Sequence, residues 1–338
     1  MGQGWRSVDE SLVASKRVLI SGGSGLLAGR TAEHLAQAGF AVRLGTRNVQ
    51  AAKAWAPACV ELVSINWHDE TSLRRACVGM DVIVNAMGMN AADCQADPVA
   101  ALRVNGAYTA SFLRAAVTAQ VRRFVYLSTA HVYSGQLQGE IIESTNVTNL
   151  HPYATSHRAG EDAVLWADKQ GQIEGVVLRL SNAFGRPLNP QTKCWMLLVN
   201  DLSRQAVQDR GLRLHSDGMQ LRDFIPLGRV CDLIQLLCIA ESRFVFQREG
   251  SLLPVFNIGS GNAMSVAAMA ELVQYRSRAI LGYDVPLQKK AANSKQASAE
   301  LHYHSENLKA PLHVNPEQCA QEIDDLLLFC LKNFRGKS

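Results

Sequence analysis

The chain has 338 residues, 47% apolar and 19% charged, enough apolar matter for a buried core and too much for a disordered chain. Its 34 Lys+Arg against 30 Asp+Glu leave a net charge of +4, which argues against a dedicated nucleic-acid binder, where positive charge is clustered. No apolar run approaches the roughly 20 residues that span a bilayer, and the eight scattered cysteines form no C-x-x-C pair, against a structural zinc site and in favour of thiols in a reducing compartment.

The first 15 residues read as a flexible tail. Their start, MGQGWRSVDE, has no apolar stretch of a signal peptide, and Arg6 stands where myristoylation needs Ser or Thr. The expectation is a soluble, cytoplasmic protein with no membrane, nucleic-acid or metal partner. A rhythm of strands and helices then begins. Residues 16–21 (KRVLIS) form a short buried-strand run, followed by a glycine turn and helical spacing over 25–39. Further strands are predicted at 41–45, 59–65, 81–85, 123–128 and 176–180, with helices between them, one of them covering 98–120. Strands alternating with helices imply right-handed crossovers and a parallel sheet covered on both faces. After about residue 185, prolines and glycines break the rhythm. A helix at 228–240 and a strand at 255–258 can rejoin the main sheet, and 315–334 reads as a last amphipathic helix. The predicted architecture is an α/β, doubly wound parallel-sheet Rossmann fold spanning 16–183, joined by roughly 228–262. Residues 184–227 and 263–338 then make a smaller C-terminal substrate-binding lobe.

The segment SGGSGLLAG places Gly22, Gly25 and Ala28 between strand and helix. The first glycine permits a tight turn, the second lets the backbone approach a pyrophosphate, and the small third residue lets helix and strand pack closely. The anion then meets unpaired N–H groups at the helix N-terminus. Gly22, Ser24, Gly25, Leu26 and Leu27 are therefore candidate cofactor contacts; a plain structural turn is the competing role. About 20 residues on, an NAD enzyme places an acid on the ribose, but the second strand ends LGTRN. Thr46 and Arg47 suit a 2′-phosphate instead, so NADP(H) is expected over NAD(H), which stays possible.

Two further segments carry a resemblance. RFVYLSTAHVYSG puts the hydroxyl of Thr129 at the end of the fifth strand, and HPYATSHRAGED opens a helix with Tyr153. With the glycine turn, they resemble the extended short-chain dehydrogenase/reductase family, of NAD-dependent epimerase/dehydratase type, which acts mostly on nucleotide-diphosphate sugars. The resemblance covers roughly 16–275, with VNAMG, RVNGAYTASFLRAA, LRLSNAFGRP, DGMQLRDFIPLGRV and FNIGSGNAMSV following in the family's order. It implies that Thr129 hydrogen-bonds the reacting oxygen and that Tyr153 exchanges a proton with it, since a carbonyl accepting hydride develops negative charge that a positioned donor must quench. It also implies cofactor contacts at Asn66, Trp67, Ala86, Met87, Gly88, Asn105, Tyr153 and His157, and substrate contacts at Asn182 and Arg222. The competing role for Asn182 is a loop cap, and for Arg222 a salt bridge with Asp223.

One departure matters more than the matches. The family has Lys four residues after the tyrosine; this chain has His157. Histidine is mostly neutral at pH 7, so it lowers the phenol pKa less than a fixed cation. Oxidising an alcohol needs tyrosinate; reducing a ketone needs the phenol, the default form at neutral pH. The expectation is an NADPH-dependent reductase of a nucleotide-diphospho-ketosugar, at C4. The alternatives are a 4-epimerase and, from another class, a catalytically impaired cofactor-sensing protein. Dehydratases of the family follow the threonine with Asp-Glu, here Ala130 and His131, which discounts dehydration; His131 is either a substrate contact or a packed side chain. The pair His302-x-His304 has metal-like spacing but no third ligand, and reads as surface. Lys193 and Trp195 read as a surface lysine and a packed ring. The small-residue helix over 98–120 and the one opening near Tyr153 correspond to the family's four-helix interface, so a homodimer is expected.

Overall fold

The computed structural model describes residues 16–240, 253–290, 300–309 and 314–335; the predicted tail lies outside them. The strands in chain order are β1 (Arg17–Ser21), β2 (Ala41–Thr46), β3 (Glu61–Ser64), β4 (Val82–Asn85), β5 (Arg123–Thr129), β6 (Gly139–Ile141) and β7 (Glu174–Leu180). They continue with β8 (Asn182–Phe184), β9 (Leu212–Arg213), β10 (Leu221–Pro226), β11 (Val255–Ile258), β12 (Ala263–Ser265), β13 (Leu287–Gln288) and β14 (Leu301–Tyr303).

Seven strands form one sheet in the order β11-β7-β5-β4-β1-β2-β3, every neighbour parallel. This is the doubly wound α/β arrangement expected from the alternation. Short runs such as VIVN in β4 are buried throughout because helices cover both faces. Period-2 alternation divides the core: Val18 and Ile20 of β1 join one apolar cluster and Leu19 the other, across the sheet. The chain reverses direction across the sheet between β1 and β4, and the crevice outside the strand ends there is where such sheets bind ligands.

Boundaries shift by one or two residues. The strand predicted at 59–65 is Glu61–Ser64, and that at 81–85 begins at Val82. The helix predicted over 98–120 is not uniform. Asp97 caps Pro98–Ala101, a π-helical stretch follows over Leu102–Tyr108, and α-helix resumes over Thr109–Thr118. Such widened turns collect at functional sites, and this one carries Asn105.

Past β7 a smaller set of strands begins. Ser181 passes the chain from β7 into β8, which pairs parallel with β10, and β10 pairs antiparallel with β12. Asn182 and Arg222 therefore sit on adjacent short strands at the carboxyl edge of the main sheet. Trp195 stacks on Phe329 at 6.3 Å and meets Phe334 edge-on at 4.9 Å, fixing the last helix, Pro316–Phe334. Among the described residues no helix is long and apolar enough to cross a membrane. All eight cysteines are free thiols, and seven are buried.

Candidate active site

The glycine turn is shaped for an anion. Gly22 has φ +80°, and a Cβ there would lie 2.7 Å from the Ala86 carbonyl oxygen. The turn after β1 thus presses against the turn after β4, and only a glycine permits both the dihedral and the contact. Gly25 caps the helix Leu26–Gln37 without any side-chain hydrogen bond, so the first N–H groups have no side-chain partner and face a cavity that Gly25, Leu26 and Leu27 line. Ala28 is fully buried beneath. These features fit a dinucleotide pyrophosphate.

Helix Pro152–Lys169 positions the candidate catalytic side chains. Its cap is His151, whose Nδ1 accepts from the Tyr153 N–H at 3.1 Å, with Pro152 at the first helical position. Helical spacing puts Tyr153, Ser156, His157, Gly160 and Glu161 on the face toward the sheet. One turn beyond His157, buried Glu161 takes both arms of Arg179 at 3.0 and 2.7 Å and the Ser128 hydroxyl at 2.5 Å, tying this helix to β5 and β7. Thr129, at the end of β5, meets the Tyr153 phenol. Burial raises the Tyr153 pKa above that of a free phenol; the bond to Thr129 opposes it, and the Cys94 thiol nearby reinforces it.

His157 is buried, and desolvation pushes it down to about 4, so it is neutral at pH 7. Its ring meets that of Tyr153 edge-on at 4.7 Å. Nδ1 lies 3.0 Å from the Tyr126 hydroxyl, while Nε2 and Cε1 face the Gly88 turn, 3.7 and 3.6 Å from where a Cβ would stand. Asn105 is fully buried. Its Oδ1 accepts from Met89 N–H at 2.9 Å and its Nδ2 donates to the Ser156 hydroxyl at 2.9 Å. It acts from behind, clamping the turn after β4 to the helix of Tyr153.

One cavity of about 520 Å³ unites the glycine turn, Ala86, Thr129, Tyr153, His131, Asn182 and Arg222. Phe184, Leu197, Val199 and Phe224 supply apolar walls. Burial lowers the pKa of both His131 and Arg222. The Arg222 guanidinium donates to Gln220 Oε1 at 3.0 Å. Asp223 does not neutralise it, because that carboxylate is bound by Ser181 and Ser260 hydroxyls at 2.5 and 2.8 Å. The Asn182 amide donates to the Asp223 carbonyl at 2.8 Å. Lys193 also lines the cavity, 3.7 Å from Asp93 across its mouth.

Other residues singled out in the sequence lie away from this cavity. Arg47 is exposed beside buried Thr46 at the end of β2, and Asn66 is exposed after β3. The Trp67 ring stacks on Tyr108 at 5.9 Å and meets Phe112 edge-on at 5.4 Å. His302 and His304 approach Glu300 and Glu140 at the surface, at 3.6 and 3.9 Å. Sequence reasoning missed Tyr126 and Gly160; the only trace of their partnership is their place on a strand and a helix that must pack together.

Fold and site together define a dinucleotide-type α/β protein with a phenol and a hydroxyl set beside the cofactor groove. The profile of the NAD dependent epimerase/dehydratase family matches residues 18–259, and the chain belongs to that family. Human dTDP-D-glucose 4,6-dehydratase is 30% identical over 172 residues, 51% of this chain and 45% of that protein; the chain thus spans about half the length of that relative. The UDP-glucose 4-epimerase of Streptomyces lividans is 26% identical over 290 residues, covering 80% of this chain and 83% of that one. A solved UDP-glucose 4-epimerase superimposes with a TM-score of 0.76 at 17% identity, over 96% of this chain and 100% of that chain.

Proposed function

We propose that this protein is an NADPH-dependent reductase that converts the C4 ketone of a nucleotide-diphosphate sugar into an alcohol. The observation that carries the reading is the cavity in which a bare helix N-terminus, Thr129, Tyr153 and Arg222 meet, with a neutral imidazole behind the phenol. The glycine turn would hold the dinucleotide, Arg47 at the end of β2 would be the residue to take a 2′-phosphate, and the bound NADPH would supply the hydride for the ketone. The chain's own work is positioning and proton transfer. Thr129 holds the ketone oxygen, and Tyr153 gives that oxygen its proton as negative charge develops there. Burial favours the protonated phenol, the form that reduction consumes. Arg222, with Asn182 beside it, anchors the diphosphate. Ala130 and His131 supply no carboxylate, so removal of water has no acid–base pair there.

A retaining 4-epimerase is the second reading, favoured by the likeness to the Streptomyces lividans enzyme over most of both chains. The test is single-turnover oxidation of NADPH against a panel of nucleotide 4-ketosugars, with Tyr153→Phe as control. Reduction by the native protein and a loss of about 10²–10⁴-fold in the variant is the expected result. Tightly copurifying NAD and interconversion of two sugar nucleotides without net redox change would reject reduction in favour of epimerisation. For assembly, we propose a homodimer in the cytoplasm. Val99, Leu102 and Trp166, each more than half exposed on the helices expected to pair, support it, and analytical ultracentrifugation tests it.

A further inference from the structure

We infer that Tyr126 is a positioning residue: its buried hydroxyl donates to His157 Nδ1 and so places the single imidazole proton on Nε2, the nitrogen turned toward the Gly88 turn and the cofactor groove. The inference rests on the proposed dinucleotide site for its purpose, but not for its geometry.

Tyr126 and His157 stand 3.0 Å apart, Oη to Nδ1, with both side chains buried. A neutral imidazole has one N–H, and a phenol has one O–H. Two arrangements are open. In one, Tyr126 donates to Nδ1 and Nε2 carries the proton. In the other, Nδ1–H donates to the phenol, whose own proton must go to the Asn105 carbonyl at 3.4 Å or to the Thr109 hydroxyl, which also bonds it. The first of these lies beyond the usual range for an O–H donor, and Thr109 Oγ1 already accepts from the Asn85 amide at 3.1 Å, which leaves its own proton to give to the Tyr126 oxygen. The first arrangement also leaves Nε2 as a donor. Among the described residues Tyr126 is the only hydrogen-bonding partner of the His157 ring, and Nε2 is not among the buried unpaired atoms. It faces the Gly88 turn, where it would be available to donate to a ribose hydroxyl.

The packing is specific to this pair. Gly160, one turn from His157, makes room for the phenol: a Cβ there would lie 2.5 Å from Tyr126 Oη and 2.7 Å from the Asn105 carbonyl oxygen. A lysine carries its donors whatever its neighbours do; a histidine must be told which nitrogen to protonate. Tyr126 does this from the far side of the ring, where it cannot touch a ligand.

The test is ¹⁵N NMR of the histidine-labelled protein without ligand, with the His157 signals assigned by their loss in His157→Gln. The expected native spectrum shows the proton on Nε2 and a bare, hydrogen-bond-accepting Nδ1. In Tyr126→Phe the two tautomers mix, and the Kd for NADPH, read by fluorescence, rises about twofold, as halving the competent fraction predicts. Thermal melting checks that the variant is folded. A native proton on Nδ1, or an unchanged tautomer in folded Tyr126→Phe, overturns the inference even if NADPH binds well. A native protein with the expected tautomer but no affinity for either NADPH or NADH overturns the dinucleotide reading and the purpose of Nε2 with it.

Discussion

Replacing His157 with lysine tests the direction of the chemistry. The imidazole behind Tyr153 is neutral because burial pushes it down to about 4, and its ring centre lies 4.7 Å from that of the phenol. A cation at that distance, screened at an effective dielectric near 20, would favour tyrosinate by about 3.5 kcal/mol. That lowers the Tyr153 pKa by about two and a half units. Alcohol oxidation at pH 7 draws on the tyrosinate fraction, so it rises up to roughly 300-fold in His157→Lys. Ketone reduction draws on the phenol, which stays the dominant form, and changes by less than about threefold. The assay is single-turnover absorbance of the nicotinamide in both directions from pH 6 to 10. Thermal melting checks that the lysine is accommodated beside the Tyr126 hydroxyl. Equal oxidation rates at pH 7 in native and variant proteins, or a parallel collapse of reduction, would refute the electrostatic reasoning.

The buried imidazole also has a stability signature. Its folded pKa of about 4 lies below the unfolded value near 6.5, so between these values the unfolded chain binds the proton and stability falls with falling pH, by about 3 kcal/mol in all. His157→Gln should remove this component and flatten the melting temperature between pH 6.5 and 4; an unchanged acid slope would show that other groups carry it. Arg47→Ala should weaken NADPH binding by roughly 10–100-fold, the scale of a charged hydrogen bond, and leave NADH within about twofold; an equal loss for both cofactors would remove Arg47 from the 2′-phosphate. Arg222→Ala should raise the KM for the sugar nucleotide by about tenfold or more with kcat little changed; an unaffected KM would point to a ketone with no nucleotide attached.

What the sequence disclosed follows from what leaves a local imprint. Strand–turn–helix alternation marked the parallel sheet, and even β11, separated from β7 by a long stretch of chain, showed as an apolar run. The glycine turn was legible because Gly22 answers to a dihedral and a close approach that no other residue meets. The π-helical stretch over Leu102–Tyr108 left no such mark: its apolar and small residues read as ordinary helix, and the bonds of Asn105 to Met89 and Ser156 join it to segments distant in the chain. The Asp223–Ser260 bonds were invisible for a related reason. Next to Arg222 in the chain, Asp223 invites an ion pair, but successive strand residues point to opposite faces, so the two side chains part. The Tyr126–His157 contact joins residues 31 apart, and nothing in either segment signals the other.

The charge layout of the cavity bears on which reading fits it. Its cationic side chains, Arg222 and Lys193, stand on segments that follow β7, and the second is drawn to Asp93. Beside Tyr153 the groups are uncharged: a threonine hydroxyl, a neutral imidazole and the Cys94 thiol. A diphosphate can therefore be anchored by charge while the reacting oxygen meets only neutral donors. An oxyanion there gains little from its surroundings and is driven to take the phenol's proton at once, completing an alcohol. An epimerase must draw a proton into the same phenol and return it within each cycle, and the wall that makes the return easy makes the withdrawal slow. On the proposed reading the uncharged wall slows the oxidative half of an epimerase cycle, and a charge introduced at position 157 is the change that should speed it.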